Sequence, residues 1–314
     1  LLDTARQIAD NSVSLKATWD DSFIGRQGIF VLWTGHPKLW GKVAISSIRD
    51  FVATLRGGRA DDALMATVYS DPFFLNGEYE KAKIIDRMEE QFPTSIPERI
   101  PVLGRFFKAS EVAFKNSSLR TRTELYKILR NVKTSRGIEM TPDEVKGLGK
   151  IVNSIAARGD LGRAGSNSFA RILMWAPKML KADLDILILH PFVGDGISKS
   201  DRGLAMGNLL KIVLATALIE AIATLNDEES TEFNPLSSDF LAIKWGDTRF
   251  KFLRGIPAMI TLLSRMTIGK YKSATTGEIK EYGSEFAQRS KFDAVIDFFL
   301  GKTPPATGAV ATLL

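Results

Sequence analysis

Two histidines, no cysteine and several close carboxylate pairs are what this chain of 314 residues offers for chemistry. The lack of cysteine rules out a disulfide framework, thiolate metal sites and thiol nucleophiles. His36 and His190 each precede a proline. That position is biased towards extended backbone, so each histidine is expected at a helix end or turn. Neither has a recognisable serine or acid companion, and no serine stands in a nucleophile elbow. The pairs Asp20-Asp21, Asp61-Asp62 and Asp183/Asp185 lie on stretches that read as exposed, and no acid at glycosidase spacing matches any of them.

Two further motifs dissolve on inspection. Gly147, Gly149 and Lys150 read GLGK, without the spacing of a phosphate-cradling loop and without a hydroxyl residue after the lysine. They also fall inside a helical pattern, where such a loop would need a preceding strand. Arg158-Gly159-Asp160 reads as the end of a helix rather than an adhesion motif. No catalytic residue, cofactor site or metal site is assigned, and the chain is read as non-enzymatic.

Charge gives the next candidate. The formal net charge is +6, and the basic residues concentrate in one place: ten lie between Arg99 and Arg136, against only Glu111 and Glu124. Lys115, Arg120, Arg122, Lys127, Arg130 and Lys133 are candidates for contact with nucleic acid, because a run of cations on one helix is an electrostatic footprint for phosphate. A solvated helix face is the other reading of the same run.

Hydrophobicity gives a third. Leu209 to Leu225 is the most apolar segment, and its seventeen residues stand at the lower limit for crossing a bilayer. Lys211 and Glu220 would be costly in lipid, so a buried core helix packed on Phe169 to Leu189 is expected. Contact with a membrane or partner helix, through Leu209, Ile212, Leu214 and Ile219, is the alternative.

The elements that must position these residues are mostly helices. Apolar spacing predicts two helices meeting at Gly35-His36-Pro37, with Gly57-Gly58 ending the second. Shorter helices follow over Asp61 to Tyr69 and Glu78 to Gln91, then a long one over Val102 to Arg130. Thr141, Pro142, Asp143 and Glu144 carry helix-start chemistry: a cap, a proline at the first position and acids facing the dipole. Gly159 and Gly162 are expected to end that helix. Later helices are expected over Ile256 to Thr267 and Ser290 to Leu300. The exception is NPLSSDFLAIKWGDTRFKF, residues Asn234 to Phe252. Period-two alternation on both sides of Gly246-Asp247 predicts antiparallel strands over Phe240 to Trp245 and Thr248 to Phe252. A second turn is expected at Thr276-Gly277. The fold class is therefore mainly α, a multi-helix domain with a small β-hairpin near residues 240–252. An N-terminal helical region over 1–136 carries the basic helix, and a C-terminal region over 137–314 carries the hydrophobic helix and the hairpin. Neither end reads as a natural terminus, so a piece of a much longer polypeptide is expected.

Five phrases occur in order: RQGIFVLWTGHPKLW, ERIPVLGRFFKASEVAF, RGDLGR, LSSDFLAIKWGDTRFKFLRG and SATTGE. This series, from about Gly25 onward, resembles a helical region of the giant multidomain polyvalent proteins of tailed bacteriophages. The resemblance implies an internal or ejection protein of the virion, packaged and delivered into the host with the genome. It implies other virion proteins of the portal, tail or internal core as partners, with homo-oligomers in the particle. Phage DNA and the host inner membrane are further implied partners. The hairpin would be a structural clasp covering the helical core. A DNA-binding module acting through the basic helix is the competing expectation.

Overall fold

The computed structural model describes residues 23–85, 101–162 except 136 and 138, and 177–300 except 228, 229, 247, 275 and 284–288. At 23, 26, 101–103 and 300 only the backbone is described. Among the described residues there are eleven α-helices and two two-stranded antiparallel sheets, the mainly-α class with small hairpins.

A π-helical turn at Phe23–Gln27 leads into α1 (Ile29–Trp33). His36 closes the turn to α2 (Pro37–Leu55), with Pro37 in the first helical turn, as its X-Pro step predicts. Then come α3 (Ala60–Tyr69), α4 (Pro72–Leu75) and α5 (Glu78–Lys81). Asp71 caps α4 by accepting from the Phe73 N–H at 3.0 Å, so the chain after Ser70 begins as a helical turn. The helix expected over Glu78 to Gln91 breaks after Lys81, and 86–91 lies outside the described residues.

The central element is α6 (Pro101–Thr134), along which α2 lies. Its buried face mixes Ala109, Phe114, Leu125, Tyr126 and Leu129 with small polar residues, Ser117, Ser118 and Thr121. Small side chains let two helix backbones approach closely. Thr141 and Glu144 form a reciprocal capping box at the start of α7 (Pro142–Ile155). Hydrogen bonds from the Thr141 N–H and Ser200 hydroxyl lower the Glu144 carboxyl to about 2. The GLGK glycines sit on α7 as spacing devices: a Cβ at 149 would lie 2.1 Å from the Ala82 carbonyl oxygen. This helix ends before the expected glycines, through Ala157 at φ 62°.

Beyond α8 (Pro177–Leu184) the chain continues as a π-helical segment, Asp185–Val193, with Pro191 inside it. Gly194, at φ 78°, ends that segment. Ser198 then caps α9 (Lys199–Asn226) by accepting from the Asp201 N–H at 3.2 Å. The hairpin follows: β1 (Ile243–Trp245) pairs with β2 (Thr248–Phe250) across Gly246-Asp247, in the register Ile243↔Phe250. It is shorter than the alternation suggests, because Leu241 takes φ 53° and turns the chain before the ladder starts. After α10 (Ile256–Ile268), a second hairpin joins β3 (Lys270–Lys272) to β4 (Ile279–Glu281), and α11 (Lys291–Leu300) closes the described chain.

One hydrophobic cluster runs from Ile29 and Phe30 through Leu125, Leu148, Ile186 and Leu209 to Met259. It draws on both sides of the expected boundary at 136/137. The first hairpin does not cover this core: Trp245 is 80% exposed and all of β2 faces solvent. Its flanks do the packing, through Leu236, Ala242 and Leu253. It also ties down the segment after α9, where Thr231 bridges Ile243 and the Lys244 N–H donates to the Ser230 carbonyl at 2.6 Å.

Candidate interaction surface and apolar cavity

On most helices of a folded protein the aliphatic stripe faces inward. Helix α9 reverses this over most of its length. Its buried positions include Asp201, Asn208 and Glu220, together with Ala205, Leu209 and Ile212. Its outer face carries Leu210, Leu214, Leu218, Ile222 and Leu225, with exposure reaching 68% at Leu214 and 88% at Leu225. These residues recur every three or four positions and so form one stripe. The expectation of a buried core helix is thus overturned for the outer face, while 169–176, part of its expected packing partner Phe169 to Leu189, lies outside the described residues. The physical reason lies in the inner face. Asp201 takes an ion pair from Lys133 there, and Ala205 and Asn208 leave room for neighbouring backbone. Of the four residues singled out for membrane or partner contact, Leu214 is exposed and Ile219 half-buried. Leu209 and Ile212 are core residues instead.

Beside the stripe and sharing Leu225 with it, between α9, α10 and the first hairpin's flanks, lies a cavity of about 870 Å³. Leu187, Leu209, Ile212, Phe233, Leu253 and Ile260 contribute to its walls. Glu220 reaches this lining at 4% exposure. Burial raises the pKa of its carboxyl, and the neighbouring Thr231 hydroxyl opposes that rise.

The six candidate cations of the basic helix are bonded within the protein rather than forming a free cationic face, while Arg105 and Lys108 near its start are exposed. Arg120 donates to Asp50 at 3.1 Å, and Lys127 pairs with Asp71 and Glu124. Arg130 donates to Glu78 at 2.5 and 3.2 Å, and Lys133 pairs with Asp201 and Glu144. Lys115 pairs with Glu111, and Arg122 is buried with its Nε donating to the Ser118 carbonyl. Charge counting along α6 could not find these acids, since most stand on α2, α4, α5, α7 and α9. Of the other basic residues in the run, Arg99 and Arg136 lie outside the described residues.

A second correction concerns Asp183 and Asp185, read from sequence as exposed. Both are buried. Asp183 pairs with Arg254 at 2.6 Å, each side chain at 0% exposure, and accepts from the Gly255 N–H at 2.9 Å. The Arg254 guanidinium also donates to the carbonyls of Gln27, Ile155 and Ser154 and stacks 3.8 Å from the Phe30 ring centre. Asp185 accepts from the Ser154 hydroxyl at 3.1 Å, pairs with Lys181 and lies 3.9 Å from His190 Nε2. His190 therefore has the acid neighbour that the sequence concealed, and it stands in the last turn of the π-helical segment. The serine donates to the aspartate and not to the histidine, so the three do not form a nucleophilic relay. Burial lowers the His190 pKa, with Asp185 opposing. Among the described residues no three His, Asp or Glu side chains converge to hold a metal ion. No protein-family model matches the chain, and no curated protein or solved structure is similar to it.

Proposed function

We propose that this chain is a non-enzymatic helical domain of a tailed-phage internal or ejection protein, and that it meets a lipid bilayer through the outer face of α9. The phrase resemblance supports the first half. The observation that carries the second is the reversed polarity of α9, whose aliphatic stripe stands in solvent while Asp201, Asn208 and Glu220 are buried. An exposed contiguous apolar patch marks a protein or membrane contact, because leaving it in water costs free energy that burial would recover.

The stripe favours a bilayer by its shape and chemistry. Apart from Lys211, which donates to the Thr34 carbonyl, its exposed side chains from Leu210 to Leu225 are aliphatic; it lacks the aromatic and arginine anchors of protein interfaces and runs along a 28-residue helix about 42 Å long. The helix keeps its inner face on the protein, so it lies in the plane of the membrane surface with only the stripe immersed. Lys199 and Arg202 near its N-terminus would meet anionic headgroups. The DNA-binding reading has less support, since five of its six candidate cations are paired with carboxylates.

Flotation with anionic liposomes tests this. Wild-type protein should float, whereas Leu214→Asp/Leu218→Asp should stay at the bottom with an unchanged melting temperature, because both residues are already in solvent. Wild-type protein that never floats at any salt or lipid composition would refute the membrane half.

A further inference from the structure

The cavity behind α9 has the dimensions of a ligand site, since small-molecule pockets span roughly 300–1,000 Å³, and this one holds about 870 Å³. Among the described residues its titratable lining groups are Glu220 and Asp227, with no Lys, Arg or His. Glu220 is 4% exposed, and its Oε2 makes no hydrogen bond with a described residue. The Thr224 hydroxyl, one turn further along the helix, is likewise unpartnered. A buried carboxyl without a cation is costly, and an alanine or leucine at this position would complete an aliphatic wall without that cost. The site thus combines a long apolar wall with the buried Glu220 carboxyl, whose Oε2 no described residue hydrogen-bonds.

We infer that the cavity binds a single-chain aliphatic amine, with the chain along Leu209, Ile212 and Ile260 and the ammonium group at Glu220. Such a ligand fills the apolar volume and supplies the absent counter-charge through a charge-assisted hydrogen bond. A fatty acid of the same length would set another carboxylate against Glu220 and Asp227. An alcohol of that length would gain the apolar contact and a neutral hydrogen bond only. The cavity wall adjoins the solvent-facing stripe and shares Leu225 with it, so separate variants distinguish this inference from the membrane reading.

Calorimetric titration of the purified chain with dodecylamine hydrochloride, dodecanol and dodecanoate, each below its micellar concentration, provides the test. Dodecylamine should bind at least about tenfold more tightly than dodecanol, and dodecanoate should bind most weakly. Glu220→Gln should abolish the amine preference and leave dodecanol binding unchanged. Ala217→Trp, at an exposed position of the lining, should weaken amine and alcohol together and keeps the inference testable if Glu220→Gln misfolds. Leu214→Asp/Leu218→Asp should bind the amine normally, which separates the cavity from the outer face. Absence of amine binding to wild type, equal affinity for all three ligands, or an amine preference that survives Glu220→Gln would each overturn the inference.

Discussion

Arg254 shows how a single residue can join distant parts of the chain. It reaches Asp183, Gln27, Ile155 and Ser154, and adopts φ 51° to do so. Removing one partner leaves the other charge buried and alone, so Asp183→Asn should cost about 3–5 kcal/mol of folding stability. Urea denaturation reads this directly, and a loss under about 1 kcal/mol would place the pair among ordinary surface contacts. Glu220 offers a prediction with a sign. Its folded pKa lies above the unfolded 4.5, so the protonated form's contribution is complete below pH 4.5 and is lost as pH rises through the folded value. Glu220→Gln cannot ionise and should gain in melting temperature relative to wild type between pH 4 and pH 8. A difference independent of pH would contradict the assigned burial. His36 and His190 act in the opposite direction: burial lowers both pKa values, so their contribution is held above pH 6.5 and lost on acidification. None of these environments was legible in the sequence. The pattern KADLD around Asp183 looks like a solvated surface, and its partner lies 71 positions away.

At the scale of elements, the starts and stops were largely readable and the facing of each element was not. Thr141 and Glu144 announce α7 by local chemistry alone, and the Gly246-Asp247 turn announces the first hairpin. Helix α6 was placed within a few residues, yet its charges were misread because cations are counted along a chain and neutralised across space. The segment inside α9 was found by its composition, which gives no direction. Glycines give a sharper test of facing. Gly149 on α7 meets the Ala82 backbone, so Gly149→Ala should cost about 1–3 kcal/mol by overpacking. Gly207 on α9 meets nothing within 4 Å, and Gly207→Ala should gain about 0.5–1 kcal/mol from helix propensity. Equal effects at the two sites in thermal melts would mean that the α5–α7 approach is looser than described.

For the whole molecule, the mainly-α class and both hairpins follow from periodicity and turn chemistry. The main core across 136/137 does not, because it depends on α9 packing against α1 and α7 far along the chain. This arrangement puts aliphatic surface outside and carboxylates inside on one long helix, and immersion of that surface in lipid is the central claim. The chain has no cysteine, so a single probe can be placed at will. An environment-sensitive fluorophore on Leu218→Cys, at the centre of the α9 stripe, should shift its emission to the blue when anionic vesicles are added. The same fluorophore on Leu75→Cys, exposed on α4, should not shift. No shift at 218, or equal shifts at both sites, would contradict the immersion of the α9 face.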